Sequence, residues 1–202
     1  ARRHASACGA SVTAGDTSPA DAMAAETAGA GVLTWVDGEP GAMVPADDRG
    51  LLYGDGLFET LVSRAGRVCF LDLHWQRLAQ GCAALHLPPP ERESLQRELC
   101  AAAGAAPGDA LLRLTLTRGS SAQRGYAPPA RPRVRRLLVR HPLAPQVGAG
   151  APFRVTLSPV VAGLSPALAG FKHLNRLENV LARAQLAGSG CDEALLEDAG
   201  GM

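Results

Sequence analysis

Two apolar runs, residues 57–63 (LFETLVS) and 67–71 (RVCFL), are separated only by Arg64-Ala65-Gly66. Three residues ending in glycine have the length and chemistry of a hairpin loop, so the two runs are expected to pair antiparallel. A helical pattern follows at once. Leu73, Leu78, Cys82 and Leu85 fall near helical spacing, and Asp72 stands where a side chain can cap the first turn. Strand, hairpin and helix in immediate succession point to an α+β fold and away from alternating βαβ units.

The rest of the chain extends that reading. Residues 32–37 (VLTWVD) read as a strand, Gly38-Glu39-Pro40-Gly41 supplies turn chemistry, and a second short strand is expected through Val44. Pro88-Pro89-Pro90 ends the first helix. A second helix is expected over 91–103, stopping at Gly104. Residues 110–117 (ALLRLTLT) and 134–139 read as strands joined by the loop GSSAQRGYAPPARP. The Pro/Gly-rich stretch 142–152 marks a boundary between an N-terminal α+β domain, 32–147, and the start of a second domain, 148–202. That second part is expected to hold a strand at 153–160, a helix at 174–187 with Leu174, Leu177, Leu181 and Ala184 on one face, and a strand opening at 194–196.

Both ends are unusual. Residues 1–31 are small, polar and without periodicity, and read as a disordered extension or linker. The chain begins with Ala and stops at Gly200-Gly201-Met202 with no partner strand after the last one, so the second domain is expected to be truncated.

Composition excludes several classes of function. The net charge is +1, which gives no electrostatic case for nucleic acid or an anionic membrane. No apolar run approaches the roughly 20 residues that span a bilayer. The five cysteines form no C-x-x-C pair and the five histidines do not cluster at ligand spacing, so no metal site is expected. An odd, scattered set of thiols suits a reducing cytoplasm.

One residue stands apart. Lys172 is the chain's only lysine among 20 basic residues. Arginine stays protonated, whereas a desolvated lysine sheds its proton and condenses with carbonyls. The words around it are GFKHLNRLENVLAR at 170–183, YGDGLFET at 53–60, HWQRL at 74–78, TRGSSAQRGY at 117–126 and DEALL at 192–196. In order and spacing these resemble the fold-type IV pyridoxal-phosphate enzymes, the family of aminodeoxychorismate lyases and of branched-chain and D-amino-acid aminotransferases. The resemblance covers residues 32–202 and implies the D-amino-acid-aminotransferase-like fold.

The resemblance also implies roles. Lys172 would hold pyridoxal 5'-phosphate covalently and later move protons. Arg77, in the H-x-x-R-L word, would bind the cofactor phosphate, for which a bidentate guanidinium is suited. Arg124-Gly125-Tyr126 stands where D-amino-acid aminotransferases carry R-x-H, and Phe58 where they place a tyrosine. Both features resemble the lyase branch, with Arg124 and Tyr126 holding a substrate carboxylate. The small-molecule substrate would be 4-amino-4-deoxychorismate, cleaved to 4-aminobenzoate and pyruvate on the way to folate, by a homodimer. Rival expectations are an aminotransferase on the same scaffold and a non-catalytic remnant. The family's glutamate for the pyridine nitrogen lies in a V-T-E word that this chain does not contain, and neither Glu193 nor Glu197 matches it. Gly54-Asp55-Gly56 lacks the ending of a P-loop and reads as a tight turn aiming the next strand into the site. His173, beside Lys172, reads as structural.

Overall fold

A computed structural model describes residues 31–143, 154–163 and 165–201. In chain order the elements are β1 (Leu33–Val36), β2 (Glu39–Pro40), α1 (Arg49–Tyr53), β3 (Gly56–Arg64), β4 (Arg67–Val68), α2 (Leu71–Ala84), α3 (Arg92–Gly104), β5 (Ala110–Thr117), β6 (Arg135–Pro142), β7 (Val155–Leu157), α4 (Leu177–Ala184) and β8 (Glu193–Leu195). The first six strands form one sheet in the order β2-β1-β6-β5-β3-β4, antiparallel at every pairing. β7 and β8 form a separate parallel pair. The α+β reading holds, and the hairpin closes as expected, with Ser63 opposite Val68 and Arg64 opposite Arg67.

Alternation along the central strands decides which face is the core. Leu57, Glu59, Leu61 and Ser63 of β3 are buried, and the register sets Glu59 opposite Leu114 and Leu61 opposite Leu112. These side chains share one face, because cross-strand partners point the same way. Leu78 and Cys82 of α2, and Leu95, Leu99, Ala102 and Ala103 of α3, pack with that face into a single cluster. Burial pushes the Cys82 thiol up to about 11, so it behaves as a small apolar group. Phe58, Thr60, Arg113 and Thr115 lie on the opposite face.

Several boundaries differ from expectation for local reasons. The second strand does not run through Val44. It is two residues long, since Pro40 offers no donor and Gly41 leaves the extended region, φ 66°. β4 stops at Val68 because Phe70 takes a left-handed conformation, φ 53°, and the helix begins at Leu71. Asp72 is therefore inside the first turn of α2, not its cap, and pairs with Arg92 at the start of α3. Glu91 caps α3 through the Glu93 and Ser94 N–H groups, at 2.8 and 2.6 Å. α1 was not expected at all.

The largest departure is α4. Leu174 is not helical, and the apolar face read from the sequence is open, with Leu177 75% and Leu181 55% exposed. Ala182 and, past the helix, Leu186 are the buried residues instead, on the side that meets β7 and β8. The domain boundary at 147/148 and nearly all of the 1–31 extension lie outside the described residues.

Candidate active site

The words read from the sequence converge at one end of β3. Gly54 ends α1 in the left-handed conformation, φ 66°, and a side chain there would collide with the Asn175 Oδ1. Glycine thus serves both the turn and the close approach. Beyond it, the Phe58 N–H donates to the Lys172 carbonyl at 2.8 Å and the Leu174 N–H to the Gly56 carbonyl at 3.1 Å. Leu57 and His173 sit opposite each other in this antiparallel bridge. The segment carrying Lys172 is thereby joined to the end of β3 by a single antiparallel bridge.

On either side of such a bridge, successive extended residues point to opposite faces. Lys172 falls with Phe58, and its Nζ lies 4.5 Å from the centre of the Phe58 ring. The Arg113 and Arg176 guanidinium carbons lie 4.1 and 5.6 Å from the same centre. Burial lowers the Lys172 ammonium below the ordinary lysine range; the Glu59 carboxylate opposes this, and Arg77, Arg113 and Arg176 add to it by repulsion. Lys172 can therefore present a neutral amine more readily than a solvated lysine.

Arg77 belongs to the same charged group. Its Nε and Nη2 donate to the Glu59 carboxylate at 2.7 and 2.5 Å, and the His74 Nδ1 lies 2.8 Å from that carboxylate. Glu59 is 1% exposed while the Arg77 side chain is 41% exposed. The buried carboxylate thus orients an arginine whose outer nitrogen, Nη1, has no hydrogen bond among the described residues. Glu59 was part of a recognised word, but no role was read for it. The pairing appears only once α2 lies across β3.

The loop residues are placed differently. Tyr126 is 85% exposed and its ring stands 5.4 Å from that of Tyr53. Arg124 is exposed. Neither makes a described contact with Lys172, although Tyr126 and His173 line one cleft with Arg49, Tyr53 and Asn175. What holds the loop is Arg49, which is 3% exposed. Its Nε bonds Asp55 at 2.8 Å, its Nη1 the Gly125 carbonyl at 3.0 Å, and its Nη2 the Tyr126 carbonyl at 2.9 Å. Asp55 in turn accepts from the Arg118 Nε at 2.7 Å. Sequence reading missed Arg49, Arg113 and Arg176. For Arg49 the signal available was its place just before the Y-G-D-G word.

An antiparallel sheet with helices on one side, and a half-buried lysine bridged to its central strand and facing the other, defines the fold-type IV class of pyridoxal-phosphate enzymes. The chain belongs to the amino-transferase class IV family, which it matches over residues 56–202. It is similar to a solved 4-amino-4-deoxychorismate lyase from Pseudomonas aeruginosa, with 42% identity and a TM-score of 0.74, covering 83% of this chain and 62% of that one. It is 30% identical over 162 residues to an aminodeoxychorismate lyase of Vibrio harveyi, covering 78% of this chain and 58% of the relative. It is also 34% identical over 166 residues to a putative branched-chain-amino-acid aminotransferase of Methanocaldococcus jannaschii, covering 79% of this chain and 56% of the relative. The chain spans about three fifths of the length of these proteins.

Two outcomes are expected from this geometry. Burial alone would raise the Glu59 carboxyl, but hydrogen bonds from Arg77 and His74, and their charges, outweigh it and hold it below the usual range. A carboxyl with a lowered folded pKa stabilises above its unfolded value, about 4.3 for glutamate, and loses that contribution as the pH falls through the folded value. Glu59→Gln should cost about 1–3 kcal/mol at pH 7 and flatten the fall in melting temperature below pH 4.5. Arg49→Lys should free the loop, because one ammonium cannot reach two carbonyls and Asp55 together. Trypsin should then cut after Arg124 at least several-fold faster than in the wild type, and an unchanged rate would mean that the loop is held by other contacts.

Proposed function

We propose that the protein carrying this chain is a pyridoxal-phosphate-dependent aminodeoxychorismate lyase, converting 4-amino-4-deoxychorismate to 4-aminobenzoate and pyruvate. The observation that carries the reading is the lone lysine, half-buried against Phe58 with its ammonium form disfavoured, beside an arginine oriented by a buried carboxylate. Two lyases among the relatives support the choice of reaction. The residues present fit the cofactor: Lys172 would carry it and the free side of Arg77 would meet its phosphate.

When bound, the cofactor supplies an aldehyde to capture the substrate amine and a ring that spreads negative charge. The chain's own groups do the rest. The neutral Lys172 amine removes the proton at the substrate's C4. Breaking the C3–O bond expels enolpyruvate and leaves an aromatic ring, and the enol regains a proton to become pyruvate. Phe58 keeps water from one side of the Lys172 amine. Arg124 and Tyr126 hold a substrate carboxylate. A homodimer and a cytoplasmic location go with this reading; Cys69, Cys82, Cys100 and Cys191, free thiols all, suit a reducing compartment.

A second reading is transamination on the same site, favoured by the 34% identity to the putative aminotransferase. The two differ in products. Incubation with pyridoxal phosphate and aminodeoxychorismate should yield 4-aminobenzoate, followed by its fluorescence, and pyruvate. Keto-acid formation from D-alanine or leucine without 4-aminobenzoate would reject the lyase in favour of the transaminase. Lys172→Arg should abolish both the reaction and the borohydride-trapped cofactor, since a guanidinium does not condense with an aldehyde. Arg124→Ala should lower kcat/KM at least tenfold and leave cofactor capture intact. If it loses bound cofactor instead, the loop serves the cofactor.

A further inference from the structure

Asp55 is the one charged side chain of the Y-G-D-G word. It lies in the turn between Gly54 and Gly56 and is largely buried. A single oxygen, Oδ2, accepts from the Arg49 Nε at 2.8 Å and from the Arg118 Nε at 2.7 Å. Both arginines are buried. Their outer nitrogens go elsewhere: those of Arg49 to the Gly125 and Tyr126 carbonyls, those of Arg118 to the His86 and Leu85 carbonyls at 3.2 and 2.8 Å. One carboxylate thus stands between the loop that carries Arg124 and Tyr126 and the end of α2.

The backbone of the same turn reaches the other way. The Asp55 carbonyl accepts from the Arg118 N–H at 3.1 Å, and the next carbonyl, that of Gly56, accepts from Leu174, two residues past Lys172. The turn therefore meets both the base of the loop and the segment of the lysine. Charge is what the side chain adds. Two buried guanidiniums that share one oxygen repel each other, and neutral carbonyls do not cancel that repulsion. Burial by itself would raise the Asp55 carboxyl, but hydrogen bonds from Arg118 and Arg49, and their charges, outweigh it and hold it below the usual carboxylate range. An amide at this place would keep the shape and lose the charge. Arg49 and Arg118 would then move apart, and Arg49 would let go of the loop.

We propose that Asp55 is a positioning residue that, through Arg49 and Arg118, sets the place of the 119–132 loop and with it the affinity for substrate. This rests on the functional reading above for one point, that Arg124 and Tyr126 of the loop meet the substrate. Side chain and backbone of the loop tip both follow Arg49. The Tyr126 ring leans on Tyr53, and the Arg49 guanidinium covers that Tyr53 ring at 4.8 Å. Cofactor capture by Lys172 and Arg77 uses neither Arg49 nor Arg118, so it stays as it is when Asp55 is neutralised.

The test compares the full protein, loaded with pyridoxal phosphate, with Asp55→Asn, Arg118→Gln and the double variant, all well below the lowest melting temperature of the set. Trypsin cleavage after Arg124 is followed by mass spectrometry, KM and kcat by turnover of aminodeoxychorismate, and cofactor affinity by absorbance titration. Asp55→Asn is expected to speed the cleavage at least several-fold and to raise KM about tenfold or more, with kcat changed less and cofactor affinity unchanged. Arg118→Gln leaves Asp55 on Arg49 and should keep KM near the wild-type value. The double variant removes one of the two repelling cations, so its KM should fall between those of the single variants, a rescue that a general loss of stability would not give. Should Asp55→Asn fail to fold, the step from Arg118→Gln to the double variant reads the same carboxylate and should raise KM. Unchanged cleavage and KM in Asp55→Asn overturn the proposal, as does a double variant no better than Asp55→Asn. A loss of cofactor affinity with KM unchanged also overturns it, and assigns Asp55 to the cofactor. If the wild type transaminates D-alanine or leucine and forms no 4-aminobenzoate, the lyase reading fails. Faster cleavage with a raised KM for that amino acid then leaves the role of Asp55 standing.

Discussion

Two backbone hydrogen bonds, Phe58 N–H to Lys172 C=O and Leu174 N–H to Gly56 C=O, join the segment after residue 170 to the main sheet. The site depends on that join. It bridges the segment to the end of β3 and fixes which way its residues face. A shift of one residue would turn Lys172 to the face of Leu57 and bring His173 to Phe58. The approach is possible because Gly54 adopts a positive φ and leaves room for Asn175. The same pairing sets the half-buried surroundings that weaken the hold of Lys172 on its proton.

Buried carboxylates organise four arginines around the site, Arg49, Arg77, Arg118 and Arg135. Asp48 is fully buried and accepts from the Gly50 N–H, the Thr117 hydroxyl and Arg135. Asp55 ties Arg49 to Arg118. Glu59 holds Arg77 and His74. Each carboxylate meets several donors, which offsets the cost of taking its charge out of water. Arg113 and Arg176 instead meet the ring of Phe58, beside Lys172.

Much of this was legible in the residues. β5 lies where it was expected, at 110–117, because eight residues of apolar alternation between Gly/Asp and Arg-Gly leave little other choice. α3 matched to within a residue for similar reasons. α1 was not legible, since five residues cannot display a helical period. The apolar face of α4 was visible in the sequence but its burial was not, because a pattern states what a face prefers and not which surface meets it. Asp72 looked like a cap, yet the left-handed Phe70 moved the helix start ahead of it.

For the site, the sequence alone determined chemistry. A single lysine, the glycines of the Y-G-D-G turn and the H-x-x-R-L arginine carry their function in residue type, because only those side chains can condense, turn or fork in the needed way. The tertiary structure alone decided company. It put Glu59 under α2 to orient Arg77, locked the 125–127 backbone onto Arg49, and brought Arg113 and Arg176 to Phe58 from places 63 residues apart in the chain. Such meetings follow from strand register and from which face each strand turns to the core, and those are set by the packing of the whole sheet and not by any local run of residues.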